Sequence, residues 1–371
     1  MGDRYSELFI TPEKFDLTKL RELGGPNGWL LFVACNSGVE FARQVKLEYE
    51  SLLAERHSDL SEVPLEGSPE RPVTREFSDT ETCPRMGLHV AGSDAFVFQC
   101  AHEKLSGRTV NENIQQLLQT CRTLRAHRAK TITVVLPYIP YSRQDKPTFM
   151  KREATLASLF ADQLRVAGVD ILLTYHPHTM ALDGFYEPAM KFVALSGIDL
   201  FIHVFEEFRG KKKAIAVSTD AGGAKFTVHF AKAMDITYAI TSKFRDHKGK
   251  ADLLGVVGDT DGKRVALVTD DETVTGTSIL KTVETLHDRY GIKETHVAIS
   301  HPKLDQESIA RLVRAHEKHG LKELHVTDTI PQTQDFLSLP FVRLHPLARQ
   351  FATTINRLHY NQSVSELFYR L

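Results

Sequence analysis

Asp270 and Asp271 stand side by side after an apolar run, Arg264-Val-Ala-Leu-Val-Thr, and lead through a short loop, Thr275-Gly276-Thr277-Ser278, into the helical start Ile279-Leu280. Adjacent carboxylates at the C-terminal end of a strand can accept hydrogen bonds from two neighbouring sugar hydroxyls. The loop offers backbone N–H groups and hydroxyls at a helix N-terminus, where unpaired amides and the helix dipole favour a phosphate. A diol and a phosphate would then be read by one segment, which is the layout of a ribose 5-phosphate site. The same residue types also suit a plain strand-to-helix turn with Asp and Thr as caps.

Four further segments carry chemistry-bearing residues. Residues 131–146 read as a buried strand that ends in Pro-Tyr and releases a polar, cationic loop. There Arg143 can grip phosphate as a planar fork and Gln144 can hydrogen-bond a base or ribose; a solvated Arg–Asp loop is the alternative. His176 and His178 follow the next strand and could hold a divalent metal or a triphosphate, although imidazole is a weak partner for Mg²⁺. Val217-Ser-Thr-Asp-Ala-Gly-Gly places Asp220 to hold a metal or its waters beside a Gly pair that lets backbone approach a phosphate. Lys243, Arg245, Lys248 and Lys250 make a cationic stretch over residues 242–252, read as a mobile loop able to fold over a charged centre or as a solvated charge run.

Short apolar or β-branched runs at 29–34, 95–99, 131–137, 170–175, 214–218, 237–241, 264–269, 296–300 and 323–327 predict the strands that must position these groups. Helical patterns at 111–127, 155–167, 226–234, 279–290 and 306–319 alternate with them. Such alternation predicts an α/β architecture of parallel strands with ligands beyond their carboxyl ends. At 371 residues the chain is long enough for two domains. Lys+Arg 46 against Asp+Glu 47 leaves a net charge of -1, so no global field points to nucleic acid or an anionic membrane. No apolar run approaches the roughly 18 residues that read as a membrane span. The scattered Cys35, Cys83, Cys100 and Cys121 show no metal-ligand spacing and are read as reduced thiols in a soluble, cytoplasmic protein. Residues 1–28 read as an appended N-terminal segment and 55–75, rich in Ser, Pro and charge, as an exposed insertion.

Taken together and in order, these segments resemble the ribose-phosphate pyrophosphokinase family, the phosphoribosyl pyrophosphate (PRPP) synthetases. The resemblance begins at Phe32-Val-Ala-Cys-Asn-Ser-Gly, continues through Phe77-Ser-Asp-Thr-Glu and Asn111-Glu-Asn-Ile-Gln-Gln, and ends at Ser363-Val-Ser-Glu-Leu-Phe. Its most specific piece is Pro137-Tyr-Ile-Pro-Tyr-Ser-Arg-Gln-Asp-Lys. The family implies two tandem type I phosphoribosyltransferase-like domains, each a mainly parallel sheet flanked by helices. On this chain they would be an ATP-side domain over 29–193, completed by 346–371, and a ribose 5-phosphate-side domain over 194–345. The implied reaction moves the diphosphoryl group of Mg²⁺-ATP to the C1 hydroxyl of ribose 5-phosphate, giving PRPP and AMP. The active site would lie near a subunit interface of a homo-oligomer. Carried over, Phe77, Asp79 and Glu81 match adenine-side contacts and Arg143 and Gln144 contacts to ATP. His178 matches the active-site histidine near ATP and metal, and Asp220 the metal-site acid. Asp270, Asp271, Thr275, Gly276, Thr277 and Ser278 match the ribose 5-phosphate loop, and Lys243 and Arg245 the basic pair of the catalytic loop.

The chain departs from the family pattern at several points. Val274 stands where a third acid is usual, Thr277 where Gly is usual, and His176 where Asp is common. One extra residue separates Arg143 from Arg152-Glu153. The Ser and Arg of phosphate-activated members have no match near His89-Val-Ala, nor does their Ser-Gly-Pro near Asp305-Gln-Glu, so weak or absent dependence on inorganic phosphate is expected. A catalytically silent synthetase-associated subunit is the chief alternative function. A PRPP-consuming phosphoribosyltransferase and a plain nucleotide-binding module are others.

Overall fold

The apolar runs become the middles of two mainly parallel sheets in the structure, a computed structural model that describes residues 23–56, 62–103, 105–148, 150–245 and 251–365. The side chains of residues 243–245 and 251–254 lie outside the description, as do Lys248, Lys250 and most of the proposed N-terminal extension. The first sheet contains β1 (Gly24–Gly25), β2 (Gly28–Ala34), β3 (Leu65–Glu66), β6 (Ser93–Phe98), β7 (Thr131–Val135), β8 (Ile171–Tyr175) and β9 (Lys191–Leu195). Its spatial order is β1-β2-β6-β7-β8-β9, with β3 parallel to β2 and only the β1–β2 pair antiparallel. A small antiparallel ribbon of β4 (Thr74–Glu76) and β5 (Thr82–Pro84) stands apart.

The second sheet orders β12 (Ala251–Gly258), β11 (Thr237–Arg245), β10 (Ala214–Ser218), β13 (Val265–Thr273), β14 (Glu294–Pro302), β15 (Leu321–Thr327) and β16 (Val342–His345). Its pairs are parallel except β11–β12. Central strands such as Thr-Ile-Thr-Val-Val are covered on both faces, which is why they read as continuous rather than alternating apolar runs.

Local signals explain the helices. Val110–Ala126 opens on a capping box in which Thr109 and Glu112 satisfy each other's backbone amides. Leu156–Ala167 stops at Gly168, whose φ of 95° closes the helix in a left-handed cap. Helix Ala348–His359 returns to the first sheet and packs on helix Val39–Glu55; Phe351, fully buried, meets Phe41 edge-on at 5.1 Å. Burying one such ring contributes on the order of 1.5–3 kcal/mol. His359, also buried, bonds through Nδ1 to Asp94 Oδ2 at 2.8 Å and through Nε2 to the Leu23 carbonyl at 2.8 Å. Among the described residues no helix is long and apolar enough to cross a membrane.

Three sequence expectations change. The strand expected at 264–269 runs on to Thr273, because β13 keeps pairing with β14 as far as Thr273 opposite Pro302, so Asp270 and Asp271 lie within it. Lys243 and Arg245 lie on β11 rather than in a loop: the strand continues and folds back antiparallel on β12, with Lys243 opposite Leu254 and Arg245 opposite Ala251. Residues 55–75 are not simply exposed, since Val63 and Val73 are buried and Leu65 pairs with Phe32 at the sheet edge. Strands β9, β12 and β16 and the helices Val39–Glu55 and Ala348–His359 were not expected as elements from the sequence.

Candidate active site

The carboxyl ends of β7 and β8 in the first sheet face those of β13 and β14 in the second, and a chain of polar contacts joins them. His178 Nδ1 lies 2.6 Å from Asp271 Oδ2. His176 Nδ1 lies 2.5 Å from Ser300 Oγ, while His301 donates from Nε2 to the His176 carbonyl at 3.0 Å. Lys303, buried, donates to Glu272 Oε2 at 2.6 Å and to the Tyr138 hydroxyl at 2.9 Å. Arg143 approaches the other Glu272 oxygen at 3.1 Å from solvent.

Three carboxylates gather on the second-sheet side. Asp270 Oδ2 accepts from Thr219 Oγ1 at 2.7 Å, and Asp220 Oδ1 accepts from the Gly223 amide at 3.0 Å. The Gly223 position has no room for a side chain, since a Cβ there would come within 2.8 Å of Ser218 Oγ. Burial, then the neighbouring Asp271 charge, pushes the Asp270 carboxyl well above the usual range, with Asp220 adding to the push. Burial also works against the Asp271 carboxylate, but the hydrogen bond and charge of His178, helped by His176, outweigh it and hold Asp271 low. His178 is pushed up in turn, chiefly by its bond to Asp271. The pair thus shares its charge unevenly, with Asp271 the more readily ionised member. A hard divalent cation would relieve this crowding of carboxylate oxygens, so the donor set fits Mg²⁺.

Beyond β13, Gly276 adopts φ 63° and starts helix Thr277–Tyr290, which aims the first amides of the helix at the loop Thr275–Ser278. Arg311, from helix Gln306–Lys318, donates to the Thr275 carbonyl at 2.8 Å and to Thr277 Oγ1 at 3.3 Å. Ser308 Oγ donates to the Val274 carbonyl at 2.9 Å. Val274 itself is 39% exposed.

The structure thus brings together Arg143, His178, Asp220, Asp270, Asp271 and the 275–278 loop. Among the described side chains, Phe77, Asp79, Glu81 and Gln144 make no hydrogen bond or ion pair to that group. Phe77, Asp79 and Glu81 sit at the exposed tip of the β4–β5 ribbon, closed by Phe77 N–H to the Glu81 carbonyl at 2.8 Å and by the Glu81 amide to Asp79 Oδ1 at 3.1 Å. Among the described residues, no hydrogen bond or ion pair joins that tip to the carboxylates. Gln144 is exposed, and its backbone amide closes a turn on the Tyr141 carbonyl. Lys243 and Arg245 lie outside the described side chains. His176 does not pair with His178 as a joint donor: it turns inward, stacks on Phe226 at 4.6 Å, and burial holds its imidazole down at about 4.

Glu272, Ser300, His301, Lys303 and Arg311 were missed from sequence. Each follows or ends an apolar strand or lies on a polar helix face, and no spacing marks them. Only Lys303, a lone cation directly after a buried run, offered a signal.

Residues 33–168 match the N-terminal domain of ribose phosphate pyrophosphokinase, and residues 214–369 match the phosphoribosyl synthetase-associated domain. A ribose-phosphate pyrophosphokinase of Hyphomonas neptunium is 31% identical over 301 residues, covering 81% of this chain and 92% of that protein. One of Fusobacterium nucleatum is 31% identical over 296 residues, covering 79% of this chain and 89% of its own length. In three dimensions the chain superimposes on phosphoribosylpyrophosphate synthetase from Mycobacterium smegmatis with a TM-score of 0.75 at 28% identity, over 90% of this chain and 99% of that one.

Proposed function

This chain belongs to the ribose-phosphate pyrophosphokinase family, and from that premise we propose that it transfers the diphosphoryl group of Mg²⁺-ATP to the C1 hydroxyl of ribose 5-phosphate, releasing PRPP and AMP. In that reaction the C1 oxygen forms a bond to the β-phosphorus. The bond from that phosphorus to the α,β-bridging oxygen breaks, AMP leaves with that oxygen, and the hydroxyl proton is lost. The observation that carries the proposal is the His178–Asp271 contact, in which the loop after β8 reaches the paired acids that precede the small-residue loop.

The roles follow from chemistry. Asp270 and Asp271 accept from the ribose hydroxyls, while the amides and hydroxyls of Thr275, Gly276, Thr277 and Ser278 hold the 5-phosphate. Arg143 and Gln144 engage ATP, and Phe77, Asp79 and Glu81 engage adenine across a subunit interface, consistent with the separation of that ribbon from the carboxylates. Asp220 and His178 hold Mg²⁺, which when bound neutralises phosphate oxygens. Lys243 and Arg245 supply further positive charge to the diphosphoryl group. Such transfers depend on in-line positioning and neutralised oxygens more than on covalent help. The proposal includes a cytoplasmic homo-oligomer with domains at 29–193, completed by 346–371, and at 194–345.

A catalytically silent synthetase-associated subunit is the second reading, and exposed, apolar Val274 in the ribose loop favours it. Measuring AMP from Mg²⁺-ATP with and without ribose 5-phosphate, with PRPP identified by mass, separates the two. Ribose-dependent AMP and PRPP are expected; folded, oligomeric protein yielding neither would select the silent subunit.

A further inference from the structure

Away from the carboxylates, the start of β14 and the middle of β15 carry a second cluster that the proposed reaction does not use. Parallel pairing sets His296 directly opposite Glu323, and His325 lies two residues further along β15 on the same face. Both imidazoles are buried, His296 at 5% and His325 at 7% exposure, beneath Phe205 and Phe208. His296 Nδ1 and His325 Nε2 both lack a hydrogen-bond partner, yet they point at one carboxylate oxygen, Glu323 Oε2, at 3.5 and 3.3 Å.

Two buried ring nitrogens that share a single carboxylate oxygen at 3.3–3.5 Å, without a well-formed hydrogen bond from either, are poorly satisfied as they stand. The separations identify what fits. Bonds of about 2.0–2.1 Å to a tetrahedral zinc ion put its ligand atoms roughly 3.3 Å apart; one donor atom from each of His296, Glu323 and His325 lies within 4.8 Å of the others, and the two nitrogen-to-oxygen distances to Glu323 Oε2 are 3.5 and 3.3 Å. The outer contacts are those that orient ligands. His296 Nε2 lies 2.8 Å from Glu294 Oε1 and His325 Nδ1 lies 3.0 Å from His345 Nε2. Arg343 approaches Glu323 Oε1 at 3.3 Å, leaving Oε2 for the ion. Each ring is thereby committed through its other nitrogen.

We propose that His296, His325 and Glu323 form a zinc site that ties β14 and β15 beneath the 205–208 segment, with water as the fourth ligand. Two imidazoles with one carboxylate select this ion class over Mg²⁺, which prefers oxygen donors. Ser300 stands four residues further along β14, about 13 Å at roughly 3.3 Å per residue, so the site is separate from the reacting centre.

The test is zinc content by elemental analysis after dialysis of the full chain against excess Mg²⁺, together with the visible spectrum of the Co²⁺-substituted protein. Near one zinc per chain and an intense tetrahedral cobalt band are expected. His325→Ala and, separately, the milder Glu323→Gln should weaken zinc at least tenfold, while ribose-dependent AMP formation stays near the parent value. Folded parent protein that retains no zinc, or equal retention in folded parent, His325→Ala and Glu323→Gln, would overturn the assignment. Should His325→Ala fail to fold, the parent stoichiometry and Glu323→Gln decide.

Discussion

Replacing Lys303 with Met removes the buried cation that holds Glu272 and Tyr138 together across the two sheets. At 2.6 Å the Lys303–Glu272 attraction is about 6 kcal/mol for an effective dielectric constant near 20. Much of that offsets the cost of taking both charges out of water, so the pair adds little net stability by itself. Breaking it is another matter. Glu272, its side chain only 4% exposed, would be left with the Tyr138 hydroxyl and with Arg143, which is 60% exposed and screened by solvent. The Tyr138 hydroxyl would lose its 2.9 Å donor as well. Lys303→Met should therefore cost about 3–5 kcal/mol, whereas Lys303→Met combined with Glu272→Leu should recover most of it, because no buried charge is orphaned. Urea unfolding followed by circular dichroism, on both single variants and the double, measures the coupling. A loss below about 1 kcal/mol in Lys303→Met, or a double variant as unstable as the two singles summed, would refute the reasoning.

Other outcomes follow from the same contacts. His178 is pushed up by Asp271, so its share of the pair is fully present below its unfolded value and is lost as pH rises through the raised folded value; an NMR titration of His178 in parent and Asp271→Asn protein should show the value fall in the variant. The Asp271 share runs oppositely, present above the ordinary carboxylate value and lost only in strong acid. Arg311→Ala should raise KM for ribose 5-phosphate by roughly tenfold, about 1.4 kcal/mol, with a smaller change in kcat, since Arg311 acts through Thr275 and Thr277; an unchanged KM would free it of that positioning role. Lys243→Ala should depress kcat at an unchanged melting temperature, and an unimpaired rate would remove Lys243 from the mechanism. A phosphate titration of AMP formation should show weak or no activation.

Much of the architecture was legible because its signals are local. Runs such as Thr131–Val135 and Ala214–Ser218 announce doubly covered strands by composition alone, and the helical pattern over 111–127 announces the helix that the structure places at Val110–Ala126. Ser242-Lys-Phe-Arg carried no such announcement: polar residues persist in a strand when a neighbour pairs with it, and the pairing partner β12 was itself not recognised as a strand. Helix Ala348–His359 likewise owes its place to Phe41 and Tyr49, some three hundred positions earlier in the chain.

The sequence by itself determined which chemistry the chain can carry, because paired acids, a Gly-Thr-Ser turn and a Pro-Tyr-to-Arg loop are defined by residue type and short spacing. Only the tertiary structure decided which of these groups meet. His178 reaches Asp271 across 93 positions and Lys303 reaches Tyr138 across 165. Such contacts are set by how two sheets present their carboxyl ends to each other, and the energy that selects them, burial of charge with its partner, exists only once both sheets have formed.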